Sequence, residues 1–433
     1  MRVAIATLGC KVNQYDGAVM SNRFSDRGWQ SVAFSEPADA YVVNSCTVTA
    51  RADSDARRLC RKARRNSPNA RVIMTGCYAQ VSAPDVAALE EVDYVVGLGR
   101  LDDLLDAVNG ELEERIAVSD LRKTTEVSTL GLESFPGRDR AFVKVQEGCN
   151  LFCTFCVIPV ARGRSRSVSP RLIIDEIERL AARGYHEVVL TGVHLGGWGA
   201  DLEPAENFAF LLEAIAERKL PLRVRISSLD PPELNERLLD VIAEPCFCRH
   251  LHVPLQACDN VILERMRRRY TLEQADKWLE RLATRVPGIT IGTDLITGFP
   301  SESRQQFEAG LDYLENSPVD YLHVFPYSRR DSTSASNRWT EIEASEVHRR
   351  ATEARELDSR LRNTWLSSHV SAAPPKRLSM LVESERDKTT GLLRGYSDEY
   401  LPLLLDGEDS AKGRLIPVNI HSRQDERLRV LAA

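Results

Sequence analysis

Cys149, Cys153 and Cys156 stand within eight residues of one another in the stretch FVKVQEGCNLFCTFCVIPVARGRSRS at 142–167. Three thiolates on so short a loop read as a metal-binding set. A structural zinc closes its fourth position with Cys or His, and no such residue lies beside this loop. A cubane [4Fe–4S] cluster is normally held by four cysteines. Three leave one iron open to a small ligand with amine and carboxylate groups. Zinc is the competing occupant. Cys10, Cys46 and Cys77 form a second group, distant in sequence but alike in setting, because each lies just past a short apolar run.

Those runs are the strands that must position the thiols. Residues 3–8, 41–43, 71–75 and 94–96 read as strands, with helical stretches such as 51–65 between them. This alternation predicts a parallel sheet covered by helices. Ligands bind at the carboxyl edge of such a sheet, so Cys10, Cys46 and Cys77 are expected to converge there. Residues 111–138 are polar and irregular and read as a linker. The rhythm resumes with a strand at 141–146, which carries the second cysteine loop. A helix at 170–183 follows, with apolar residues at 173, 174, 177, 180 and 181. Ser169-Pro170 would start it and Gly184 would close it.

Further strands are expected at 187–190, 222–226, 250–253, 289–296 and 321–324. Such repetition predicts a full or partial (β/α) barrel with its chemistry at the strand C-termini. Residues 343–370 read as one long amphipathic helix, broken at Pro374-Pro375. Beyond it, short apolar runs at 378–382, 392–396, 400–405 and 415–420 predict a small all-β barrel. The fold class is therefore α/β, in three units: an N-terminal α/β domain at 1–115, a barrel with its long helix at 138–370, and a β-barrel at 372–433.

The chain has 433 residues, of which 43% are hydrophobic, enough for substantial cores. Its formal net charge of −6 excludes a general basic field, so any nucleic-acid site must be a local patch. Nothing in the sequence reads as a signal peptide or a bilayer span, and a soluble, cytoplasmic protein is expected. The 10 cysteines are not expected to form structural disulfides in that compartment. There is no GxxxxGK(S/T) phosphate loop, no GxGxxG and no HExxH.

The x3-x2 spacing of Cys149, Cys153 and Cys156 behind a strand resembles the signature of the radical S-adenosylmethionine (SAM) superfamily. The resemblance continues through Thr191-Gly192-Val193-His194-Leu195-Gly196-Gly197, Arg225-Ile226-Ser227-Ser228 and the run Gly292 to Pro300. These are similar to the strand-end motifs that line the cofactor pocket, which points to Gly192, Gly196, Ser227 and Asp294 as SAM contacts. The N-terminal TLGCKVN, NSCTV and TGCYAQ resemble the sulfur-handling domain of the methylthiotransferase family. Gly395-Tyr396-Ser397-Asp398-Glu399-Tyr400 is similar to the RNA-binding TRAM barrel. Lys11-Val12-Asn13, the residues around Cys153–Cys156 and the run Arg249 to Gln256 look most like the branch that acts on N6-threonylcarbamoyladenosine in tRNA.

That resemblance implies two [4Fe–4S] clusters, one on Cys10, Cys46 and Cys77, the other on Cys149, Cys153 and Cys156. The second would bind SAM and cleave it to a 5′-deoxyadenosyl radical. The first would carry a sulfur that is methylated and added to C2 of the adenine at position 37. Implied partners are tRNA, a flavodoxin- or ferredoxin-like electron donor and a sulfur donor, with no membrane and a monomeric chain. Related branches act on isopentenyladenosine or on a ribosomal protein side chain. A non-catalytic iron–sulfur RNA-binding sensor is the alternative from another class.

Three basic runs, one from Arg57 to Arg65, one at Arg162, Arg164 and Arg166, and one at 265–269, read either as phosphate contacts or as solvated helix faces. Cys60 falls at helical spacing with Ala56, Leu59 and Ala63 and reads as a core thiol. His250 and His252 share a strand face and read as barrel lining. Cys246 and Cys248 receive no role. Cys258 stands where the family pattern leads to a serine-glycine turn, and reads as a neutral replacement.

Overall fold

The computed structural model describes residues 1–125, 127, 132, 134–135, 137–371 and 377–433. Parts of the expected linker, the Pro374-Pro375 break and the expected start of the last unit at 372 lie outside the described residues.

The N-terminal apolar runs form one fully parallel sheet. Strands β1 (Arg2–Thr7), β2 (Gln30–Val32), β3 (Ala40–Ser45), β4 (Arg71–Thr75), β5 (Tyr94–Val96) and β6 (Ile116–Ala117) lie in the order β2-β1-β3-β4-β5-β6. Every residue of β3 is buried, as a central parallel strand covered on both faces requires. On one face Tyr41, Val43 and Met74 pack against Ala56, Cys60 and Ala63 of helix α2 (Ala50–Asn66). Cys60 is thus a core thiol. On the other face Val42 and Ile73 meet Phe24 and Leu104. β2 and β6 are edge strands of three and two residues, too short to display a period. Residues 116–117 are therefore strand, where the sequence suggests only a linker.

From β1 the chain steps to β2 on one side, and from β3 onward to the other. The crevice at the carboxyl ends of β1 and β3 is a topological switch point. Helix α1 (Lys11–Asp26) begins there, directly after Cys10.

The second unit opens with β7 (Ala141–Lys144). The expected strand at 141–146 stops at Lys144, and β8 (Gln146–Glu147) instead pairs antiparallel with β9 (Arg166–Ser167). That short ladder closes the base of the cysteine loop. The helix Pro170–Ala182 follows; Ser169 holds its N-cap position without a side-chain capping bond. Strands β10 (Glu187–Thr191) and β11 (Arg223–Ile226) join β7 in a parallel sheet, β11-β10-β7. A second parallel sheet holds β12 (His250–His252), β13 (Thr290–Thr297) and β14 (Tyr321–Pro326). Bridges Val224–Phe247 and Ser228–His252 connect the two. Six strands thus curve in chain order into a partial barrel, with no pairing of β14 to β7 among the described residues.

The long helix Ala344–Val370 packs on β14 and carries Trp365 and Leu366 into the last core. That core fills a closed barrel of β15 (Arg377–Arg386), β16 (Leu393–Tyr396), β17 (Pro402–Leu405), β18 (Leu415–Gln424) and β19 (Arg427–Ala432). The sequence reading lacks β19. Its Leu428 and Val430 are buried in alternation with arginines, a pattern too brief and too charged to stand out. The β-barrel docks through Glu187, which is fully buried and accepts from Arg223 Nε at 2.7 Å and Arg225 Nε at 2.9 Å. The same two guanidinium groups donate onward to the carbonyls of Ser379, Tyr396, Ser397 and Asp398.

Candidate active site

The switch point gathers Cys10, Cys46 and Cys77 as the sequence predicts. Gly9 and Gly76, each preceding a cysteine, both hold φ near +89°, a conformation that a side chain resists. At Gly9 a Cβ would stand 2.6 Å from Cys46 Cβ and 2.7 Å from its Sγ, so only glycine lets the turn close on that thiol. Asn13 ties the strand ends together. Its Nδ2 donates to Leu8 O at 2.9 Å and Ser45 O at 2.8 Å, and its own carbonyl accepts from Asn44 Nδ2 at 2.9 Å.

Arg162 comes across from the barrel unit and is 1% exposed. Its Nε lies 3.4 Å from Cys77 Sγ. Its other nitrogens bond Glu147, Asn13 and, at 3.0 Å, Asp16. Burial opposes its charge, but Cys77, Glu147 and Asp16 hold its pKa well above the ordinary value. Burial pushes the Cys77 thiol up to about 12 against the pull of Arg162. Arg162 therefore neither contacts phosphate nor lies on a solvated face, the two readings of the second basic run; it faces inward because three acceptors and a thiol meet it there.

The second loop is pinned at several points. Cys149 N–H donates to Gly163 O at 3.1 Å, Cys156 N–H to Cys153 O at 3.0 Å, and Thr154 N–H to Met266 O at 3.1 Å. Phe152 turns through φ 52° between the first two thiols. Arg268 also turns inward: it donates to Pro254 O at 3.0 Å, pairs with Asp230 at 2.7 Å and points Nη1 at Cys153 Sγ, 3.7 Å away. Burial pushes Cys149 to about 11 and Cys156 to about 12. As bare thiols Cys77, Cys149 and Cys156 stay protonated at neutral pH. A strongly positive occupant is what would make them thiolates.

Neither trio has its three ligand atoms within 4.8 Å of one another; among the described residues, only His252/Asp294/His323 and His194/Asp230/Glu233 do. Thiolates on one tetrahedral zinc, at Zn–S of about 2.3 Å, would stand ~3.8 Å apart. The trios thus fit a larger group held by three sulfurs, such as a cubane cluster, better than a single zinc ion. The remaining cysteines supply no fourth ligand. Cys60 lies on the buried face of α2, Cys248 lies against Arg225, and Cys258 packs in the barrel core facing Gly310. Cys246 offers its carbonyl to Val224 N–H.

A cavity of about 1110 Å³ opens beside the first trio. Cys10, Lys11 and Val48 form one wall, Gly192, Ser227 and Asp294 another, and Tyr396 and Tyr400 of the β-barrel a third. Asp294 accepts from His252 Nε2 at 2.7 Å and lies 3.4 Å from His323 Nδ1. Burial works to raise its carboxyl, but the two histidines overcome this and hold it below the usual carboxylate range. Burial lowers the pKa of His252 and, further, of His250. A neutral His252 that donates through Nε2 leaves Nδ1 for the Tyr321 hydroxyl at 3.5 Å, which in turn meets His250 Nε2 at 2.7 Å. The two histidines line the barrel, as their alternation predicts.

Gly192, Ser227 and Asp294 are thus brought to one cavity. Gly196 is not, because the Glu233 side chain occupies the space beside it. Glu233 bonds His194 and accepts from Asp230 N–H at 2.8 Å. The N–H groups of Val193 and His194 are taken by Gln146 Oε1, at 3.0 and 2.8 Å. The sequence reading takes Arg162 and Arg268 only as members of basic runs and overlooks Asp230 and Glu233. The only signal for those two carboxylates is proximity to the Ser227-Ser228 strand end.

Comparison with known proteins agrees with this geometry. The model of the Radical SAM superfamily matches residues 143–314, and that of Uncharacterized protein family UPF0004 matches residues 2–97. The threonylcarbamoyladenosine tRNA methylthiotransferase of Bacillus subtilis (strain 168) is 35% identical over 425 residues, covering 96% of this chain and 93% of its own. That of Aquifex aeolicus (strain VF5) is 37% identical over 424 residues, covering 97% and 100%. The solved radical S-adenosylmethionine methyltransferase TsrM of Kitasatospora setae superposes with a TM-score of 0.57 at 18% identity, over 77% of each chain, and so shares the fold. A partial barrel behind a three-cysteine loop places the molecule among radical SAM proteins. Within that class, the chain belongs to the methylthiotransferase family.

Proposed function

We propose that this chain adds a methylthio group to C2 of N6-threonylcarbamoyladenosine at position 37 of tRNA, as a radical SAM-dependent transferase. The threonylcarbamoyladenosine tRNA methylthiotransferases of Bacillus subtilis and Aquifex aeolicus, 35% and 37% identical along nearly the whole chain, support the substrate. The observation that carries the reading is the shared cavity, where Cys10 faces Ser227 and Asp294 across a space that the β-barrel helps to close.

Cys10, Cys46 and Cys77 would hold one [4Fe–4S] cluster, and Cys149, Cys153 and Cys156 another. SAM would lie along Gly192, Ser227 and Asp294, which share the cavity, and not against Gly196. When bound, these groups supply the radical chemistry that an unactivated adenine C–H bond requires, and the sulfur and methyl that replace its hydrogen. The chain's own residues position and enclose. Arg162 fixes the direction of Cys77. His252 and His323 keep Asp294 ionised, so that it can accept bonds from a ribose hydroxyl. Phe325, 41% exposed, and Tyr396 offer aromatic surface to a base.

Domains at 1–115, 138–370 and 372–433 suit this division of labour, and the family matches at 2–97 and 143–314 fall inside the first two. The β-barrel would hold RNA. A flavodoxin- or ferredoxin-like donor would supply electrons and a separate donor the sulfur, to a monomeric cytoplasmic chain. No helix among the described residues is long and apolar enough to cross a membrane.

The test is anaerobic reconstitution with iron, sulfide, SAM and a reductant, with tRNA carrying threonylcarbamoyladenosine as substrate. Mass spectrometry of the digested nucleosides is expected to show its 2-methylthio form, together with 5′-deoxyadenosine. Absence of both products would favour a sensor. Deoxyadenosine without the modified nucleoside would point to a different target.

A further inference from the structure

The cavity is richer in positive than in negative charge: seven Lys and Arg side chains line it, against four carboxylates. Most of those cations are already engaged. Arg162 bonds Glu147 and Asp16; Arg225 bonds Glu187; Arg140 reaches Glu187 and Glu383. Arg394 pairs with Glu383 and Glu385, and Arg427 with Asp387. Arg138 is exposed at the rim. Lys11 differs from all of these. It is part-buried, it stands in the first turn of α1 directly after Cys10, and it makes no side-chain hydrogen bond or ion pair among the described residues.

An ammonium withdrawn from water without an acceptor is costly, and a site that retains one commonly does so for an anionic ligand. On the substrate proposed above, the threonyl group attached to N6 ends in a carboxylate. With C2 of the base directed at Cys10, an N6 substituent stays within the same cavity. We infer that Lys11 is a specificity-determining residue, which binds the carboxylate of the threonylcarbamoyl group and selects this nucleoside over those with uncharged N6 substituents. The inference rests on the function proposed above. Arg225 and Arg140 cannot serve in its place, because Glu187 and backbone carbonyls occupy the fork of the first and Glu187 and Glu383 that of the second.

The test uses the full chain, reconstituted anaerobically, and two anticodon stem-loop RNAs. One carries N6-threonylcarbamoyladenosine, the other its methyl ester. A charge-assisted bond of ordinary strength corresponds to a preference for the acid of about 10- to 100-fold in kcat/KM. Lys11→Gln is expected to lose most of that preference, chiefly through KM for the RNA, and Lys11→Arg to keep part of it. An acid-to-ester ratio in Lys11→Gln equal to that of the wild type would overturn the inference. So would a change confined to KM for SAM, or iron content below wild type in both variants, which would assign Lys11 to holding the cluster. Wild-type protein that modifies neither RNA overturns the proposed function itself, and this inference with it.

Discussion

Single residues decide whether the thiols can act as ligands. Arg162 is the clearest case, since one guanidinium joins Cys77, Asn13, Glu147 and Asp16 across the junction of two units. Arg162→Met removes that cation and leaves the buried Glu147 dependent on Lys144. The variant is expected to bind roughly half the iron of the wild type, with the cluster proposed at Cys149, Cys153 and Cys156 retained. Iron analysis beside electron paramagnetic resonance of the reduced protein measures this; full iron content would refute it. Arg162→Lys keeps the charge but not the fork, and should fall between the two. The sequence could not distinguish Arg162 and Arg268 from their exposed neighbours Arg164 and Arg267. A run of arginines reads the same whichever way it faces, and the acceptors that turn two of them inward come from distant segments.

At the scale of elements, Glu187 on β10 orders the base of the barrel. Burial alone would raise its carboxyl, but Arg225, Arg223 and Arg140 hold it well below the usual range. Glu187→Gln leaves buried guanidinium groups short of a counter-charge, a change that costs about 3–5 kcal/mol. Because those groups also carry the carbonyls of Ser379 and residues 396–398, the β-barrel should loosen first. Hydrogen exchange is expected to rise at 393–401 before it changes in β3 and β4, and exchange that rises uniformly would contradict this. The strands that position the thiols were legible, since apolar runs followed by Gly-Cys or Ser-Cys mark both their type and their carboxyl end. The edge strands β2 and β6 and the last strand β19 were not, the first two being two or three residues long and β19 holding two arginines in six residues. The β8–β9 ladder was hidden because its four residues pair across a loop rather than repeat along the chain.

At the scale of the molecule, the N-terminal sheet and the barrel meet through Tyr15 of α1, whose hydroxyl donates to Glu176 Oε2 at 3.2 Å. Burial raises the Glu176 carboxyl to about 7, even though the Tyr15 bond favours its charged form. The folded state therefore keeps a proton that the unfolded chain releases near its ordinary value of 4.5. Stability from this group is complete below that value and is lost as pH rises toward and past 7, by up to about 3 kcal/mol. Glu176→Gln should remove that dependence, raising the melting temperature at pH 8 and changing it little at pH 5. A variant with the wild-type pH profile would show that the contact titrates elsewhere.

The cavity draws its walls from residues near 10, near 225–325 and near 400, so no stretch of chain forms it alone. A compartment walled from several sides suits a single extruded nucleoside better than a continuous stacked strand. The target base must swing out of its loop to enter, and that unstacking, a few kcal/mol, is a cost carried by the RNA. Anticodon loops whose base 37 is already splayed outward should accordingly be modified soonest.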